Sequence, residues 1–151
     1  KKDQQRIEKA VISAERKTSG EIVPVIIPAA VSRRLLRLLP ERLIGFYTRY
    51  RARRCFHELG IHKTAGRTGI VIVVFLQERR VEVVADKGIS THYPQKTWDE
   101  LVRLIVRAAK KGQLAAGLCA AILRCGKILG AHCPRQKNDR NELPDRLHLR
   151  D

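Results

Sequence analysis

Apolar residues recur at Ile7, Ala10, Val11 and Ala14, the i, i+3, i+4, i+7 spacing of one helical face. A first helix is therefore expected from about Asp3 to Thr18, stopped by Gly20, a residue that tolerates the left-handed conformation after a helix. The period then changes. Glu21-Ile22-Val23-Pro24-Val25-Ile26-Ile27 is rich in β-branched residues and predicts a strand. Pro24 cannot donate to a sheet ladder, so this strand is expected at an edge or with a bulge.

From Val31 to Leu59 the pattern is helical again, with Pro40 breaking or restarting the helix. Leu43, Tyr47, Tyr50 and the Cys55-Phe56-Leu59 group are its expected core stripe. The continuous apolar run Gly69 to Leu76 predicts a fully buried central strand. Gln77-Glu78 turns it into Arg79 to Asp86, where Val81, Val83 and Ala85 alternate with Arg80, Glu82 and Val84. Thr97-Trp98-Asp99-Glu100 has the spacing of a capping box and predicts a third helix, ended by Gly112. A fourth carries Leu114, Leu118, Ala121, Ile122, Cys125, Leu129 and His132 on one stripe.

The expected order, α-β-α-β-β-α-α, is an α/β fold: a three-layer α/β/α sandwich around a small mixed β-sheet. The domain is expected over residues 1–134, with residues 135–151 as a polar C-terminal tail packed on it. A helical crossover makes the first two strands parallel, and the tight turn makes the third antiparallel. Glu21, the His62-Lys63-Thr64 loop and Asp86 then meet at one rim of the sheet. At that rim His62 with Lys63 suits an anion.

Charge changes this picture. Thirty-one basic residues against fifteen acids give +16, which favours anionic surroundings. Between Arg33 and Arg54 stand eight arginines and one acid, Glu41, a net of +7 within 22 positions. Arg33, Arg34, Arg37, Arg49, Arg51, Arg53 and Arg54 are candidate anion- or lipid-facing side chains. Nucleic acid is the weaker partner, because only 5% of residues are aromatic and no recognised binding signature is present. Cys55, Cys119, Cys125 and Cys133 contain no C-x-x-C pair, so packed, reduced thiols are expected rather than a zinc site. No uninterrupted apolar run reaches a membrane-spanning length, and no apolar stretch follows Lys1-Lys2 as in a signal peptide. There is neither a catalytic triad nor a Gly-x-x-x-x-Gly-Lys phosphate loop.

Four motifs add a family expectation. Thr18-Ser19-Gly20-Glu21-Ile22, Leu59-Gly60-Ile61-His62-Lys63-Thr64, Asp86-Lys87-Gly88-Ile89 and Asn141-Glu142-Leu143-Pro144-Asp145 follow one another in the order and spacing of the TPM domain. The chain resembles that family, known from a thylakoid-lumen protein linked to photosystem repair and from bacterial relatives. The resemblance implies an α/β/α sandwich, a divalent-cation site at an acidic rim, and a phosphatase activity claimed for some members. Carried over by motif, the metal-binding positions are Glu21 and Asp86, holding calcium or magnesium weakly. Many relatives carry acids between the first strand and the second helix, where this chain carries arginines. That feature is more similar to membrane-anchored relatives, in which hydrophobic spans follow strand one and basic flanks stay cytoplasmic. Such spans are absent here, as in a member that never had them or one from which they were removed.

The leading expectation is a TPM-like binding or scaffolding domain at the cytoplasmic face of a membrane, its arginines against anionic lipid or an acidic membrane protein. The alternative is a metal-dependent phosphatase acting on phosphate monoesters. Both a non-catalytic domain and an enzyme are compatible with these motifs.

Overall fold

The computed structural model describes all 151 residues, Lys1–Asp151. One mixed sheet has the order β3-β2-β1-β4, built from β1 (Glu21–Ile27), β2 (Gly69–Phe75), β3 (Arg80–Ala85) and β4 (His148–Leu149). The helices are α1 (Lys2–Glu15), α2 (Arg33–Leu38), α3 (Glu41–Glu58), α4 (Lys87–Ser90), α5 (Gln95–Lys110) and α6 (Leu114–His132). As the crossover and the tight turn require, β1 is parallel to β2 and β3 is antiparallel to it.

Side chains alternate across the strands and feed two cores. Ile22, Ile70, Ile72 and Val74 face α1, α5 and α6, packing with Leu101, Ile105, Leu118, Ile122 and Leu129. Val23, Val25, Ile27, Val71, Val73 and Phe75 pack on the other face with Ala52, Cys55 and Phe56 of α3. All seven residues of β2 are buried, as its continuous apolar run predicts. The sandwich is the expected one, with helices on both faces.

Four details differ from the sequence reading. First, β1 lies inside the sheet, between β2 and β4, and pairs with β2 from Glu21 beside Gly69 to Ile27 beside Phe75 without a bulge. Pro24 is tolerated because of which way its nitrogen faces. Ile26 C=O accepts from Arg150 N on the β4 side, and the alternation of the ladder turns the Pro24 nitrogen to that same side. There β4 is only beginning, with Val25 beside His148.

Second, α3 buries Ile44, Gly45, Thr48, Ala52, Cys55 and Phe56, whereas Leu43 and Tyr50 are each 49% exposed. The helix is turned from the expected stripe because its small residues let it approach the sheet. Third, α5 begins at Gln95 behind Pro94, with no side-chain cap, so Thr97 already lies inside the helix. Proline, with φ of −69°, presets the first turn ahead of the capping box. Fourth, the polar C-terminal segment does more than cover the body: it adds β4 to the sheet. Gly112, at φ of 70°, closes the α5–α6 turn as anticipated.

Helix α6 is long and apolar enough to cross a membrane by length and composition. In this fold it is a core helix, with Gly117, Leu118, Ala121, Ile122, Cys125, Gly126 and Leu129 buried.

Candidate functional site

Glu21 opens β1 beside Gly69, and the amide of Asp86 donates to Gly69 C=O at 2.9 Å. The two acids thus occupy one rim of the sheet, one strand to either side of β2. They do not share a ligand set. Asp86, 3% exposed, caps α4 by accepting from Lys87 N at 2.7 Å, and its second oxygen takes Arg67 Nε at 2.9 Å. Both of its oxygens are thus occupied by structural partners.

Glu21 has different company. Ligand oxygens of Glu15, Glu21 and Asp145 all lie within 4.8 Å of one another. Glu15 ends α1 and is 7% exposed. Its Oε1 accepts from Ile22 N at 2.8 Å. Ile22 N faces the side of β1 that short β4 does not reach, so a carboxylate replaces the missing strand there. Glu21 Oε1 accepts from Glu142 N at 2.8 Å, while its Oε2 is buried without a hydrogen-bond partner.

Asp145 arrives from the C-terminal segment. Asn141 Nδ2 donates to its Oδ1 at 2.6 Å, and Glu142 Oε2 accepts from Ala65 N at 3.1 Å. The Asn-Glu-Leu-Pro-Asp motif is therefore a clasp that closes over Glu21 and delivers a third carboxylate.

Burial and mutual repulsion set the protonation of this cluster. Desolvation raises the Glu15 carboxyl to about 10, reinforced by its hydrogen bond to Asp145 and opposed by the Ile22 amide. Burial also lifts Glu21 to about 7, against the Glu142 amide and helped by the negative charges of Asp145 and Glu142. Near neutral pH the cluster retains a proton that a cation could replace.

These acids line a cavity of about 240 Å³ together with Thr18, Ser19, Arg135, Arg140 and Asn141. The pocket's hydroxyls point to the backbone: Thr18 Oγ1 donates to Cys133 C=O at 2.6 Å and Ser19 Oγ to the same oxygen at 3.5 Å. Three carboxylates, one with a buried and unpartnered oxygen, fit a hard cation. His62 and Lys63 lie outside the pocket. The His62 ring packs 4.8 Å from that of His57, and Lys63 is exposed.

Glu15 and Asp145 were not singled out from the sequence. Glu15 stands eight residues after Ile7 and four after Val11, so it extends the apolar stripe of α1, and an acid on such a stripe is a signal. Asp145 closes one of the four motifs, but its convergence on Glu21 depends on how the C-terminal segment returns.

The arginine segment forms a second feature. Arg33, Arg34, Arg37, Arg42, Arg49 and Arg53 are exposed, and none of them forms an ion pair. Arg51 is half-buried and donates to Asp151 C=O at 2.9 Å, and Arg54 pairs with Glu58 at 2.9 Å. These two are partly spent inside the molecule. All four cysteines are free thiols, and burial pushes Cys125 up to about 12, as suits a core residue.

The sequence profile of the TPM domain matches residues 1–128. The chain is similar to the BA42 protein of the psychrophilic bacterium Bizionia argentinensis, whose structure was solved by NMR. The two are 26% identical, with a TM-score of 0.80 over 98% of this chain and 92% of that one. The N-terminal domain of a protein from P. gingivalis shares the fold at 17% identity, with a TM-score of 0.64 over 88% of this chain and 80% of that one. No curated protein matches the chain.

Proposed function

This chain belongs to the TPM domain family, and on that premise we propose that it is a binding domain with a divalent-cation pocket, working at the cytoplasmic face of a membrane. The convergence of Glu15, Glu21 and Asp145 within 4.8 Å carries the cation part of this reading. Calcium or magnesium would take carboxylate oxygens from these three residues, with water completing the shell, and binding would displace the retained proton. The open cavity and the proton competition both favour weak, pH-dependent affinity.

Calcium titration followed by amide NMR tests it. Expected are saturable shifts at Ile22, Glu142 and Asp145, lost in Glu21→Gln. Absence of shifts at millimolar calcium, or shifts confined to the Asp86 side of the rim, would overturn the site.

The membrane part is supported by the six exposed arginines without carboxylate partners. Each basic residue near an anionic leaflet contributes about 1 kcal/mol, so a few contacts give measurable binding. An acidic membrane protein would satisfy the same charges.

One observation favours a second reading, a metal-dependent phosphatase: Arg135 and Arg140 line the pocket beside the acids and could hold a phosphate. Against turnover, Thr18 Oγ1 is tied to Cys133 C=O, and neither pocket hydroxyl is hydrogen-bonded to a carboxylate that could act as its base. No substantial rate on phosphate monoesters is expected. A robust metal-dependent rate, abolished in Asp145→Asn, would replace binding with catalysis.

A further inference from the structure

We infer that α2 and α3 form a wedge that inserts apolar side chains into the interface of an anionic bilayer, beyond resting on headgroups by charge. The inference rests on the membrane-face reading above and makes it specific. Helix α3 is apolar on two opposite faces. One holds Ile44, Thr48, Ala52 and Cys55 against the sheet. The other carries Leu43, Phe46 and Tyr50 at i, i+3, i+7, exposed by 49, 67 and 49%. A helix that only covers a sheet has no use for the second face.

Helix α2 extends the same feature. None of its six residues is buried, and Leu35 and Leu38 are 52 and 79% exposed. Helices this short are normally held by tertiary packing, yet α2 buries no residue fully, and its Ser32 cap accepts from Leu35 N at 3.4 Å. A covering surface would complete it.

Charge identifies that surface. Arg42, Arg49 and Arg53 are exposed on α3, within one or two turns of the outward stripe, and none is neutralised by a carboxylate. Arg54 lies 6.0 Å from the centre of the Tyr50 ring. An apolar ridge edged with guanidinium groups suits an anionic interface: the ridge enters the acyl boundary while the arginine stems lie along it with their heads among phosphates. A shaped protein groove is not needed to receive it.

Phe46→Trp supplies the probe, since the native Trp98 is buried in the core and 5% exposed. Vesicles of phosphatidylcholine with one quarter phosphatidylglycerol are compared with pure phosphatidylcholine vesicles, with bromine on the acyl chains as quencher. Binding only to the acidic vesicles is expected, with a blue shift of the introduced tryptophan's emission and quenching by the bromolipid. The double variant Leu38→Gln/Phe46→Gln changes exposed side chains only, so folding is retained, and its binding should weaken about tenfold. Binding to acidic vesicles without quenching, and unchanged in the double variant, would overturn insertion while leaving the electrostatic reading standing. No binding to either vesicle would overturn both and leave an acidic protein as the partner of the arginines.

Discussion

Replacing Gly88 by alanine is expected to destabilise the fold by about 3 kcal/mol, the upper end of what an added methyl costs in a packed site. A Cβ at this position would lie 2.3 Å from Gly66 C=O and 2.5 Å from Arg67 C=O. Both obstacles are backbone, so no rotamer relieves them. The Gly88 amide also donates to Arg67 C=O at 2.8 Å, which fixes the close approach from the other direction. Moving the two segments apart would disturb the Asp86 cap and the Arg67–Asp86 pair together. Urea unfolding checks it: the midpoint should fall with the slope unchanged. Gly112→Ala is a useful comparison, since that position has open space and only an unfavourable φ, so its cost should be nearer 1 kcal/mol. Equal effects at the two positions would show that the close approach at Gly88 is not what matters.

The Asp86 cap, its pair with Arg67 and the close approach at Gly88 are structural contacts of the Asp-Lys-Gly motif that its sequence does not reveal. The rim itself was legible: parallel and antiparallel pairing follow from connection length, and they bring Glu21 and Asp86 to one end of the sheet. The partner of each acid was not. Asp86 precedes a one-turn helix too short to leave a periodic signal, yet that helix consumes one of its oxygens. Glu21 is met by Glu15, from the preceding helix, and by Asp145, from a segment that returns 124 residues later. That return also explains the interior position of β1. A two-residue strand at the chain's end leaves no hydropathy pattern, so β4 was invisible and Pro24 pointed to an edge. The basic segment shows the opposite case. Its charge and the break at Pro40 were plain in the sequence. The face presented by α3 was decided by close packing of Gly45, Thr48 and Ala52, against the larger apolar side chains.

The stability of the metal-free protein should fall as pH rises from about 5 toward 8, with a slope approaching −1.4 kcal/mol per pH unit where one retained proton separates folded from unfolded chain. Folded Glu15 and Glu21 hold their protons up to about 10 and about 7, against 4.5 for either carboxyl when exposed. Between those limits the unfolded chain has released protons that the folded chain keeps. Raising pH therefore draws the equilibrium toward unfolding, and the contribution is complete only below 4.5. His148 acts in the opposite sense: burial and neighbouring arginines lower it from 6.5, so its contribution is lost as pH falls. Toward pH 8 the histidine becomes neutral in both states and Glu21 has released most of its proton, so the remaining slope belongs mainly to Glu15. Glu15→Gln separates charge from structure. The amide oxygen can still accept from Ile22 N, so the uncovered side of β1 stays satisfied, but there is no longer a proton to lose. Thermal unfolding across this range should show a flatter profile for Glu15→Gln and a higher Tm than the parent at pH 8. A parent profile that is flat or rising above pH 7, or an unchanged slope in the variant, would mean that the three carboxyls do not share a proton in the folded protein.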